Sequence, residues 1–203
     1  MIGDGFTPCS AAEAVSRAHV LLAERSGQYV LGTGDYKPRP NYDRPWTENS
    51  GLTGSDCAGF AISWCYCLRR HRQGFNKGPW ATVADDLNCN SALEDAAHKR
   101  ELFEFSDRPI PGDLVMYPTF SLKGQDGQLH RFIGHVGLVS GVQRVLEWDP
   151  AQPQYSLLDI IHCCGPNGRK PAVVATDGHI WQHHDTIWPK PQHRSYLVRV
   201  RRD

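Results

Sequence analysis

Apolar residues in the N-terminal part of the chain recur at helical spacing, whereas those in the C-terminal part alternate or run in short blocks. Ser10-Ala11-Ala12-Glu13 has the form of a capping box, in which serine and glutamate side chains satisfy amides left free in a helix's first turn. Ala14, Ala18 and Leu22 follow at four-residue steps and predict one apolar stripe that stops at Gly27. The stretch 32–54 is rich in Gly, Pro, Asn and Asp and reads as a long inserted loop. Phe60, Trp64 and Leu68, with Ala61 and Cys65 beside them, predict a second helix beginning near Asp56. Arg69, Arg70 and His71 close it, where cations suit the helix dipole. Val83–Cys89 and Ser91–Arg100 carry a weaker pattern and read as short helices.

After Pro111-Gly112 the period changes. Asp113–Tyr117, His135–Ser140, Val145–Trp148, Leu157–His162, Val173–Thr176 and Tyr196–Arg201 are alternating or β-branched runs, most of them bounded by turn residues. Helices followed by strands predict an α+β fold, with N-terminal helices on one side of a mostly antiparallel sheet of five to six strands. The last run alternates cleanly, so one of its faces is expected to be wet. No repeat or linker divides residues 1–203, which read as a single domain with an extended C-terminal region after 165.

Charge narrows the partners. Lys+Arg and Asp+Glu both total 22, a balance that does not suggest nucleic acid. No apolar run is long enough for a membrane span. The N-terminus lacks a basic stretch followed by an apolar core, so synthesis in the cytoplasm without a signal peptide is expected. The seven cysteines are odd in number and irregularly spaced, and are read as mostly reduced thiols.

Cys57 is the candidate nucleophile. It follows Gly54-Ser55-Asp56 in the first turn of the second helix, where unpaired amides and the dipole favour a thiolate. Its base must be a histidine brought close by folding. His135 begins a strand between Gly134 and Gly137, which leave room for a peptide. His162 ends the run Leu157–Ile161, and if the two strands pair it can orient His135.

These residues form a pattern. Ser55-Asp56-Cys57-Ala58-Gly59-Phe60 resembles the Asp-Cys-Ser-Gly-Phe motif of the NlpC-type cell-wall cysteine peptidases, a papain-like family related to the CHAP amidases. Pro111-Gly112-Asp113-Leu114-Val115, Gly134-His135-Val136-Gly137-Leu138-Val139, Gln28-Tyr29-Val30-Leu31-Gly32 and Ile160-Ile161-His162-Cys163 resemble four further segments of that family, in its unpermuted order. The resemblance covers roughly residues 10–165. It implies a papain-like fold in which Cys57 attacks an amide carbonyl, His135 acts as base and then acid, and His162 orients His135. Tyr29 would hold substrate or oxyanion, and Ser55 and Asp56 would flank that site, with the Cys57 amide as an oxyanion donor. An acidic residue of the insertion after His135, Glu147 or Asp149, is the alternative third member. The implied substrate is a peptidoglycan stem peptide, cut next to D-glutamate and diaminopimelate. Cleavage between muramic acid and L-alanine, or a catalytically silent phage structural or binding module, are the alternatives.

No metal or cofactor is implied. Cys65 with Cys67, His162-Cys163-Cys164, and His179 with His183 and His184 lack a four-ligand zinc spacing, and the last group reads as a polar loop surface. Trp148, Trp181 and Trp188 read as core, and the basic C-terminus reads equally as a charge-protected edge strand or as a patch favouring an anionic cell wall. An enzyme made without a signal must still reach the wall. Release as a phage lysin would bring a phage component as partner, and delivery as a secreted toxin would bring an immunity protein. A monomer is expected.

Overall fold

A computed structural model of the chain describes residues 7–25, 27–31, 54–68, 87–99, 101–143, 148–149, 151–166 and 171–201. Helix α1 spans Ala11–Glu24, and Ser10 caps it by accepting the Glu13 amide at 3.1 Å. Ala14, Ala18 and Leu21 are its buried face. The true period of 3.6 puts Leu21 inward where a four-residue step had chosen Leu22. The helix ends at Glu24, three residues before Gly27, because Arg25 turns left-handed with φ of 50°.

Helix α2 occupies residues 57–66, with a π-helical body at Gly59–Trp64. The Asp56 carboxylate accepts the Gly59 amide at 2.8 Å and so caps the first turn. Every residue from Ser55 to Leu68 is buried. The expected one-sided stripe is therefore a helix enclosed on all sides, as its nearly continuous apolar run allows. Helix α3 spans Cys89–Glu94 behind an Asn88–Ser91 capping box and continues as a π turn over Asp95–Lys99. Arg69, Arg70, His71 and most of Val83–Cys89 lie outside the described residues, as does the 32–54 loop up to Gly54.

Strands β1 (Gln28–Tyr29) and β2 (Gly54–Ser55) form a short parallel pair. The main sheet is antiparallel and six-stranded, built from β3 (Phe103–Phe105), β4 (Leu114–Tyr117), β7 (His135–Val142), β8 (Leu158–Cys163), β9 (Val173–Asp177) and β10 (Tyr196–Val200). Its order is β3-β10-β4-β7-β8-β9. A separate hairpin, β5 (Phe120–Lys123) with β6 (Leu129–Phe132), leaves the sheet between β4 and β7. The chain is α+β. Helices α1, α2 and α3 share one core with Leu114, Met116, Val136, Leu138, Ile161 and Val198. The opposite face carries Val115, Val139, Ile160 and Leu197 and is covered by Trp181 of α4 (His179–Ile187) and by Tyr155. Among the described residues no helix is long and apolar enough to cross a membrane.

Several expectations change. Residues 179–187 are helical, not a polar loop. Strand β10 lies between β3 and β4 rather than at an edge, and Leu197 and Val198 bury both of its faces. Strand β9, α4 and β10 thus belong to the same sheet and its second layer. Of the Val145–Trp148 run, 144–147 lie outside the described residues and Trp148 is in no strand.

One ion pair fastens the sheet's centre. Asp113, before β4, is 2 % exposed, and the Arg199 guanidinium of β10 grips it at 2.8 and 2.9 Å. Burial pushes the Asp113 carboxyl above its usual range, against the pull of Arg199. Arg199→Met would strand a buried carboxylate at neutral pH and is expected to lower stability by about 3 kcal/mol. Because the folded pKa is raised, the loss should be largest near neutrality and shrink as Asp113 takes up a proton on acidification. Urea unfolding of both proteins across pH checks this, and a pH-independent loss would contradict it.

Candidate functional site

Residues 54–57 set up the site. The parallel pair places Tyr29 opposite Ser55, and the Val30 amide donates to the Ser55 carbonyl at 3.0 Å. That carbonyl also accepts the Cys163 thiol, at 3.3 Å. The Ser55 hydroxyl donates to the Asp56 carbonyl at 3.1 Å. Ser55 and Asp56 therefore secure the start of α2, one by backbone pairing and the other by capping. Tyr29 is half-buried within electrostatic reach of Cys57, and burial pushes its phenol up.

Cys57 follows on the first helical turn and is 5 % exposed, its sulfur 4.0 Å from the Gly134 carbonyl. Its thiol is held well below the ordinary range. A hydrogen bond from Cys89 is the largest cause, with the charge and hydrogen bond of His135 and the Val136 amide adding to it against the cost of burial. Cys163 is pushed the other way by burial, as is Cys65. Cysteine identity alone does not separate these thiols; the donors around each one do.

His135 and His162 come together through strand register. Gly137 of β7 opposes His162 of β8, so His135, two residues earlier, lies diagonal to His162 on the same face. Their rings meet with His135 Nε2 2.8 Å from His162 Nδ1. The pattern repeats on the next strand. His162 opposes Val174, so Thr176 is again diagonal, and its hydroxyl lies 3.2 Å from His162 Nε2. The network assigns the tautomers. If His135 Nε2–H donates to His162 Nδ1, the remaining His162 proton sits on Nε2 and is given to Thr176. His135 Nδ1 is then the nitrogen left for Cys57. His162 is fully buried, so this orientation is enforced by packing.

Trp181 supplies much of that packing. It stacks on His135 with centroids 5.4 Å apart and planes at 24°, and meets His162 edge-on at 5.4 Å. A β-carbon at position 137 would come within 2.8 Å of the Trp181 ring and 2.5 Å of Ile160, so glycine there is what admits the indole. Position 134 is equally confined, since a β-carbon would sit 2.7 Å from both the Thr119 amide and the Tyr117 carbonyl. Thr119 ties this corner to α3. Its hydroxyl accepts the Gly134 amide at 2.8 Å, and its backbone exchanges hydrogen bonds with the Asn90 side chain at 2.8 and 3.1 Å. Cys89, the neighbour of Asn90, is thereby delivered to Cys57.

Asp149 takes no part in this arrangement. Its carboxylate accepts the Ala151 amide at 2.8 Å in a turn, and Glu147 lies outside the described residues. His162 stands where the third member was expected. Cys89, Thr176 and Trp181 were not foreseen as parts of the site. Strand parity could have found Thr176, since it shares a face with His162. Nothing in the sequence links Cys89 to Cys57. The other candidate ligands are dispersed: His179 pairs with Asp177 at 3.3 Å, and His184 bonds the His193 carbonyl at 2.8 Å while stacking on Tyr117. A separate cleft of about 250 Å³ is lined by Trp148, Tyr155, Tyr196 and Arg194 and includes none of the thiol site's residues. No family model, curated protein or solved structure matches the chain.

A thiol held this low should betray itself by reactivity. Iodoacetamide is expected to alkylate Cys57 readily at about pH 6, where ordinary thiols are protonated. Because the thiol's pKa is lowered, the rate should fall only on further acidification. His135→Ala and Cys89→Ala should each move the profile upward. Peptide mass mapping of the labelled site across pH checks this, and a Cys57 that titrates like a free cysteine would contradict it.

Proposed function

We propose that the chain is a cysteine hydrolase of amide bonds in peptidoglycan stem peptides, acting as an NlpC-type endopeptidase next to D-glutamate and diaminopimelate. The observation that carries this reading is the continuous chain Cys57–His135–His162–Thr176, with a thiol held low at a helix start and a base whose second nitrogen is already engaged. The five motif resemblances, in family order, supply the substrate class; the geometry by itself supports only thiol-based acyl transfer.

The chemistry follows from the atoms present. Cys57 Sγ, as thiolate, adds to the amide carbonyl carbon, and the carbonyl electrons move to oxygen. The Cys57 backbone amide at the helix start, with Tyr29 beside it, is the proposed donor set for that oxyanion. As the C–N bond breaks, imidazolium His135 gives its Nδ1 proton to the leaving amine, and a thioester remains. Water then adds to the thioester while His135 takes one of its protons. The C–S bond breaks, a carboxylic acid leaves, and the thiolate–imidazolium pair is restored. Throughout, His162 Nδ1 accepts from His135 Nε2, which fixes the ring and steadies its positive charge. Thr176 acts through His162 and is a positioning residue.

In this reading the protein is made in the cytoplasm and reaches the wall after phage lysis or by secretion-system delivery. Digestion of purified peptidoglycan from several wall types, followed by mass analysis, tests the proposal. Wild type should shorten the stem peptides, and Cys57→Ala should release nothing. Intact peptides freed from the glycan would make the enzyme an N-acetylmuramoyl-L-alanine amidase instead. A folded wild type with a reactive Cys57 but no product from any wall would favour a silent module. Thr176→Val should lower kcat about tenfold, the worth of one hydrogen bond, with KM and melting temperature little changed.

A further inference from the structure

Two other cysteines meet outside the relay. Cys9 immediately precedes the cap of α1, and Cys67 ends the helical segment that Cys57 begins. The Cys9 amide donates to the Tyr66 carbonyl at 3.1 Å, and its thiol to the Cys65 carbonyl at 3.0 Å. The segment before α1 is thus stitched along the last turn of α2. The Cys9 sulfur, the Cys67 sulfur and a Glu13 carboxylate oxygen all lie within 4.8 Å of one another, and a hydrogen bond joins the two thiols. All seven cysteines are present as thiols.

The backbone at Cys67 adds an independent observation. Its φ of 59° is left-handed, a conformation that glycine normally supplies at a helix end. A β-carbon there is strained, so a cysteine in that place points to work done by the side chain. Cys9 is half-exposed and Cys67 is buried, which leaves one sulfur open to reagents and the other beside it.

We propose that Cys9 and Cys67 form a disulfide when the protein enters an oxidising environment. The oxidant is a small-molecule disulfide such as oxidised glutathione. The hydrogen bond with Cys67 and burial push the Cys9 thiol up, so solvent hydroxide must first take its proton and the exchange quickens at alkaline pH. The Cys9 thiolate then attacks one of the reagent's sulfurs, that S–S bond breaks, and one thiolate of the reagent leaves. Cys67, deprotonated, then attacks the Cys9 sulfur of the mixed disulfide, and the second reagent thiolate leaves. The protein gives up two protons and two electrons, and the reagent becomes two thiols. The bond closes a loop of roughly sixty residues and locks the far end of α2 to the start of α1, so it stabilises chiefly by restricting the unfolded chain. A metal suits the cluster less well. Among the described residues only three ligands gather, and Glu13 is exposed, whereas structural zinc takes four.

The test uses the full chain under native conditions with oxidised glutathione, followed by denaturation, alkylation and peptide mapping. Cys9 and Cys67 should both escape alkylation, whatever glutathione adds at Cys57, and a Cys9–Cys67 cross-linked peptide should appear about 2 Da lighter than its reduced halves. Dithiothreitol should reverse this and lower the melting temperature of wild type by roughly 5–10 °C. Cys9→Ser and Cys67→Ser should melt at one temperature with or without reductant. The mapping needs no variant to fold and no hydrolase activity, so it stands apart from the test of the catalytic reading. Seven alkylated thiols after oxidation, a cross-link joining Cys57 to Cys89 instead, or a chelator-released metal protecting Cys9 and Cys67 without loss of mass would each overturn the proposal.

Discussion

A buried thiol is held below its ordinary range only where polar groups around it replace the water it has lost. At Cys57 those replacements come from separate parts of the chain: Cys89 from α3, and His135 and the Val136 amide from the first residues of β7. None of them is local to α2. The fold has to bring two helix starts against one strand start. The Asn90–Thr119–Gly134 hydrogen bonds are the brace that does it, with glycine at 134 because the neighbouring backbone leaves no space for a side chain.

The histidine chain obeys a different constraint. In an antiparallel sheet, every second residue faces the same way, and diagonal neighbours on adjacent strands lie within reach of long side chains. Repeating that diagonal across β7, β8 and β9 lines up His135, His162 and Thr176. A slip of one residue in either pairing would turn His162 to the face that Ile161 and Cys163 now occupy, and turn those two to the face it leaves. The buried apolar residues on both faces of β8 make such a slip costly, so core packing guards the relay's geometry.

Much of this was legible in the residues. The α1 cap, the helix after Asp56, the order of helices before strands, and five of the six main strands could be read from period and turn chemistry. Cys57, His135 and His162 could be named, and the structure brings them together. What escaped reading has physical causes. Phe103–Phe105 and the β5–β6 hairpin are short and polar on at least one face, so periodicity is weak there. Helix α4 contains three histidines and buries chiefly Trp181 and Asp185, which gives it little apolar signal. Cys89 and Cys9 find their partners through tertiary contact alone, and no spacing announces that. The alternation of the last run was real, but β10 is covered from both sides, so alternation did not mean a wet face.

Trp181 reaches the imidazoles from the layer opposite the helix that carries Cys57, through the gap left by Gly137. Ring stacking and polarity around His135 are therefore tuned by a segment outside the Cys57–His135–His162 contacts. In a deep mutational scan, intolerance would extend well past the relay into the second layer. Exchanging that layer would alter the surroundings of both imidazoles while Cys57, His135 and His162 stayed unaltered.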